Sequence, residues 1–185
     1  MTTYTKFDIP LYSGRQVWWE WSRSYSPEKT LVRVQTSGGR ILPRYEKGIG
    51  TVINGLSPLY QDIGNYLWSE QVELDEGLRL NKERNLYCYL TVKVRAQERR
   101  QDWKANTERL MRLAIKDCRH NNQVESRQGK LYTNEQLGDA LKCSEDAFRV
   151  RHIEKWNFLK DTLTGWLNAA EQPLYDWMRK VKDGV

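Results

Sequence analysis

Ser144, Glu145, Asp146, Arg149, Arg151 and Lys155 cluster just after a short turn, Lys142-Cys143-Ser144. They share their stretch with Phe148, His152 and Trp156, which continue through Leu159 and Leu163 at a 3.6-residue spacing. An apolar stripe at that spacing buries one side of a helix. The opposite side then offers Glu145, Asp146, Arg149 and Lys155, with Arg151 at its edge. The chemistry available to such a set is hydrogen bonding to base edges. Arg or Lys pairs with guanine, and a carboxylate accepts from the exocyclic amine of cytosine.

The elements that must position these side chains are legible in the same stretch, LYTNEQLGDALKCSEDAFRVRHIEKW. Thr133 and Gln136 have the Thr-x-x-Gln spacing of a capping box, which starts a first helix. Leu137, Ala140 and Leu141 form its apolar side, and Gly138 is small where two helices must approach closely. Lys142 stands where a turn usually takes Gly, so it needs a left-handed conformation or a different turn. Ser144 is a good N-cap for the second helix. A helix-turn-helix of this kind lays its second helix in the major groove of duplex DNA. The alternative is an ordinary structural helical pair.

Arg95 to Lys130 carries ten Lys or Arg against five acids, a local balance of +5 within a chain of net charge +6. Trp103, Leu110, Leu113 and Ile115 or Cys118 supply an apolar side, which predicts a helix from about Gln97 to Asp117, followed by a polar loop from His120 to Gly129. Arg99, Arg100, Arg109, Arg112 and Lys116 are candidate phosphate contacts beside the motif, since such charges supply most non-specific affinity for DNA. The competing reading is a solvated helix side.

With 185 residues the chain reads as one domain, or one domain with appendages, long enough to bury a substantial core, and its pI of about 9.2 favours an acidic partner such as nucleic acid. A membrane surface or an acidic protein would also satisfy charge alone. Eight Trp and ten Tyr against three Phe suit half-buried seams and interfaces as well as a core. No apolar run approaches the roughly 20 residues of a membrane span. The start MTTYTKFDIP also lacks the pattern of a secretory signal, so an intracellular protein is expected. Cys88, Cys118 and Cys143 are widely spaced and form no Cys-x-x-Cys pair, so neither a disulfide framework nor a zinc finger is indicated. Cys118 and His120 could join a metal site only if Cys88 or Cys143 converged on them. No metal and no cofactor is expected.

The whole reads as mainly α, with a possible small N-terminal β-hairpin. Residues 1–56 form an aromatic-rich segment. It begins with Val17-Trp18-Trp19-Glu20-Trp21 on a short helix capped near Ser13. Leu31 to Val34 and Arg40 to Leu42 flank Thr36-Ser37-Gly38-Gly39 as the candidate hairpin, and glycines 48, 50 and 55 make Arg44 to Leu56 irregular. Residues 57–172 form the helical domain, with 95–130 as its basic insert. Ser57-Pro58 starts a helix with Ile63 and Leu67 on its apolar side. Val72, Leu74, Leu78 and Leu80 suggest another, and Asn81 caps a third that buries Leu86, Leu90 and Val94. The second motif helix runs on through Leu159, Leu163, Trp166 and Leu167 towards Ala170. Pro173 interrupts it. Residues 173–185 then form a short amphipathic helix of Leu174, Trp177, Met178 and Val181, with Arg179, Lys180 and Lys182 at its basic end.

LDEGLRLNKERNLYCYLTVKV, followed after the basic insert by LGDALKCSEDAFRVRHIEKWNFLKDTLTGWL, resembles the helical DNA-binding part of the late-gene antitermination Q proteins of lambdoid phages, which is itself similar to sigma-factor region 4. The matching features are a helix before the motif, Leu-Gly-x-Ala-Leu, the Cys-Ser turn and a long helix ending in Trp-Leu. The tryptophan-rich Val17 to Trp21 resembles one subgroup. The likeness covers about half the chain. Q proteins of the lambda type carry a zinc-binding cysteine cluster that this sequence lacks, so the resemblance is to the zinc-free types. It implies a factor in the cytoplasm of a bacterial host that binds double-stranded DNA near a phage late promoter, engages RNA polymerase holoenzyme and promotes terminator read-through.

A transcription regulator of this kind needs a second surface for polymerase, and Trp18, Trp19, Trp21 and Trp177 are the aromatic candidates. A DNA-binding packaging protein, such as a small terminase-like subunit, would use the same motif in an oligomer. An enzyme is disfavoured, because two His and scattered carboxylates such as Asp62, Glu70 and Asp75 make no nucleophile-and-base constellation.

Overall fold

The computed structural model describes residues 14–24, 43–97, 104–122 and 131–183, which are mainly α-helical and contain no strand. In chain order the helices are α1 (Gly14–Ser24), α2 (Pro43–Asn54), α3 (Pro58–Trp68), α4 (Glu70–Leu74), α5 (Glu76–Gln97), α6 (Lys104–Asn122), α7 (Asn134–Leu141), α8 (Glu145–Arg151) and α9 (Ile153–Asp183). The expected hairpin at 31–42 and the Ser13 cap lie outside the described residues.

α3 begins as its Ser57-Pro58 start requires, with Pro at the first turn where a missing donor costs nothing. It packs against α1, α4, α5, α6 and α9, and α9 in turn covers α1, α2 and α6. Ile63, Tyr66, Leu67 and Trp68 of α3 meet the stripe Trp156, Leu159, Leu163, Leu167, Ala170 and Leu174 of α9 in one core. Trp18 is fully buried in that core, edge-on to Trp68 with ring centroids 5.6 Å apart, and its indole N–H donates to Asn65 Oδ1 at 3.1 Å. The approach depends on Gly64, since a Cβ there would lie 2.3 Å from the Trp18 ring.

The structure corrects four expectations, two of them through tertiary contacts and two through local geometry. Residues 43–54 are helical, not irregular: Gly48 lies under the Trp177 indole, and this contact with α9 offsets the roughly 1 kcal/mol that glycine costs a helix. Asn81 lies inside α5. The cap is Asp75, whose Oδ1 accepts from the Leu78 N–H at 3.0 Å, and Leu74 and Leu80 point to solvent. The motif's apolar stripe is split between α8 and α9 by His152, at φ −127° and ψ −14°. Pro173 does not end α9, because Ala170, Glu171 and Leu174 are buried around it and hold the chain helical through the lost hydrogen bond.

α6 runs to Asn122, beyond the expected end at Asp117. Its C-terminal end is fastened to α3 and α4: Trp68 Nε1 donates to Asn122 O at 3.0 Å, and Arg119 donates to Tyr66 O at 2.6 Å and to Glu73 at 2.8 Å. Among the described residues no helix is long and apolar enough to cross a membrane.

Candidate nucleic-acid interface

α7 and α8 form a unit that touches the rest of the described molecule through α6 on one side and α9 on the other. Its construction follows the local sequence closely. Gln136 N–H donates to Thr133 Oγ1 at 3.2 Å while Thr133 N–H donates to Gln136 Oε1 at 2.9 Å, so the capping box closes in both directions. Lys142 takes the left-handed conformation, φ 59° and ψ 43°, which returns its N–H to Asp139 O at 3.0 Å and the Cys143 N–H to Gly138 O at 2.9 Å. A Cβ on Gly138 would meet Cys143 O at 2.8 Å, so the close approach requires glycine. Ser144 Oγ accepts from the Ala147 N–H at 3.2 Å and opens α8. Leu137, Leu141 and Phe148 are buried between the helices.

With Phe148 inward, the rotation of about 100° per residue places Asp146 and Val150 on the side of α8 farthest from the core. Both are exposed, Val150 at 83%. Arg149 lies on a flank, where its guanidinium pairs with Glu145 at 2.6 Å while remaining 57% exposed. Such an i,i+4 pair is worth about 0.3–0.5 kcal/mol, so a stronger acceptor can take the arginine from it. Arg151 is exposed, Lys155 is partly so, and Ser144 is spent on the cap. Val150 is the outward residue that the charge pattern passed over. Counting rotation from Phe148 was the signal that would have found it.

His152 closes α8, with its ring 6.2 Å from that of Phe148. Burial at this junction, together with the positive charges of Lys155 and Arg151, holds its imidazole below the usual value.

The exposed side of α6 continues the surface. Arg109 donates to Ala140 O at the C-terminal end of α7, Arg112 lies over the Tyr87 ring at 4.8 Å, and Lys116 is exposed one turn on. Arg109, Arg112 and Lys116 therefore share one strip that starts at the α7–α8 unit. Arg119, counted with the basic segment, is committed to the core side instead. Arg99 and Arg100 lie outside the described residues. Behind the strip, Asp117 is buried and anchors two segments at once: it accepts from the Leu131 N–H at 3.2 Å and pairs with Lys160 of α9 at 3.1 Å.

The tryptophans divide differently from the expectation. Trp18 is core, which removes it from the partner-contact candidates. Trp21 and Trp177 are half-buried against the same core, and Trp19 is half-buried. Cys88 is exposed, Cys143 is half-buried, and burial pushes the Cys118 thiol up to about 12. Among the described residues no group of three His, Cys, Asp or Glu could hold a metal ion. A hollow between α5 and α6, bordered by Tyr87 and Arg112, has a volume of about 100 Å³. That is well below the roughly 300–1,000 Å³ of small-molecule sites. No protein-family model, no curated protein and no solved structure matches the chain.

Proposed function

We propose that the protein is a sequence-specific DNA-binding transcription regulator that uses α7 and α8 as a helix-turn-helix. The observation that carries the reading is the α7–turn–α8 unit: capped at both helix starts, closed by a left-handed Lys142 and held at one edge of the core, it leaves Asp146, Arg149, Val150 and Arg151 of α8 facing out. α8 would lie in the major groove, with Arg149 and Arg151 at base edges or neighbouring phosphates and Arg109, Arg112 and Lys116 along the backbone. The resemblance to antitermination Q proteins supports a finer reading, in which the DNA-bound protein engages RNA polymerase near a late promoter and carries it past terminators.

The test is a salt titration of duplex binding by the full chain. Affinity is expected to fall steeply with salt, and replacing Arg112 and Lys116 by Ala should weaken binding to every sequence alike while reducing the log–log slope by about 1 per lost phosphate contact. Binding that is absent at low salt, or a slope unchanged by both substitutions, removes the proposal.

A further inference from the structure

We infer that Val150 is a specificity-determining residue that packs against the 5-methyl group of a thymine in the major groove. The inference rests on the proposed DNA-binding reading and names the base class that α8 selects. Val150 sits opposite Phe148, so it is at the crest of α8, and it is 83% exposed. Its neighbours say what the crest meets. Arg149 and Arg151 stand on either side of it, suited to a polyanion, while Asp146 one turn earlier on the same crest would be repelled by phosphates. A crest with an acid and an aliphatic tip, flanked by guanidinium groups, fits bases at its centre and backbone at its edges. The thymine methyl is the one apolar group that the major-groove edges of the bases present, and an aliphatic side chain is its complement. A carboxylate at Asp146 suits the amine of an adjacent cytosine.

The experiment selects a preferred duplex from a random pool with the full-length protein and then replaces each thymine of that site, one at a time, by deoxyuridine, which deletes only the methyl. One position is expected at which the replacement weakens binding about fourfold, the equivalent of one buried methyl group. Val150→Ala should bind thymine and deoxyuridine at that position alike, with salt dependence and unfolding midpoint unchanged. A selected site in which no thymine methyl matters, or in which Val150→Ala keeps the full discrimination, overturns the Val150 assignment and leaves DNA binding standing. Failure to enrich any sequence overturns both.

Discussion

Lys142 is the residue on which the α7–α8 turn is hinged, and it is the non-glycine residue with positive φ among those described. A left-handed lysine carries a penalty of about 1–2 kcal/mol from its Cβ, part of which glycine would give back as chain entropy in the unfolded state. Lys142→Gly is therefore expected to stabilise the fold by about 0.5–1 kcal/mol, seen as a raised denaturant midpoint with the helical signal unchanged. Gly138→Ala should act in the opposite direction. Its Cβ meets the Cys143 carbonyl, a backbone atom that cannot swing aside, so a loss of about 1–3 kcal/mol is expected in the same measurement. Phe148→Ala, at a fully buried ring, should cost about 3–5 kcal/mol. These residues were readable in advance because caps, turns and close approaches act over three or four positions. Trp18 and Gly64 were not. Their contact joins α1 to α3 across 46 positions of chain, and the Val17 to Trp21 cluster says nothing about which ring faces the core.

At the scale of elements, the junction between α8 and α9 sets the angle at which the exposed helix leaves the core, and His152 sits in it. Burial beside Phe148 and the charges of Lys155 and Arg151 depress its pKa, so the unfolded chain takes up a proton before the folded one does as pH falls. The stability this group contributes is present above the ordinary histidine value of about 6.5 and is lost below it. The unfolding midpoint should fall between pH 7.5 and pH 5.5, and His152→Gln should flatten that fall. An unaltered pH profile in the variant would place the sensitivity elsewhere. The apolar periodicity found the helices on both sides of this junction but could not show the break, because Phe148, His152 and Trp156 keep their spacing through it. α2 and the passage of α9 through Pro173 were hidden for a different reason. Glycine and proline weaken a helix locally, and what restores it is the Trp177 contact on Gly48 and the buried Ala170 and Leu174, all of them tertiary.

For the whole molecule, the arrangement separates two surfaces. The α7–α8 unit and the α6 strip of Arg109, Arg112 and Lys116 lie together, while α1 and the Trp177 end of α9 pack beside α2 around the far part of α9. A repressor needs only the first surface, whereas an antitermination factor must also hold polymerase. With Trp18 withdrawn into the core and Trp21 packed against it, Trp19 is the half-buried tryptophan of α1 that does not pack on the core and is left for that contact, with the basic residues Arg179 and Lys180 exposed at the other end of the group. Aromatic and arginine anchors dominate interface energies, so Trp19→Ala together with Arg179→Ala should reduce polymerase engagement without touching DNA affinity. In a transcription assay with purified polymerase, the protein is expected to raise read-through of a terminator only when its own DNA site lies near the promoter. The double variant should bind that site normally and lose the read-through. Read-through that persists after the DNA site is deleted, or that is absent with the site in place, would remove the antitermination reading and leave a DNA-binding protein without a polymerase partner.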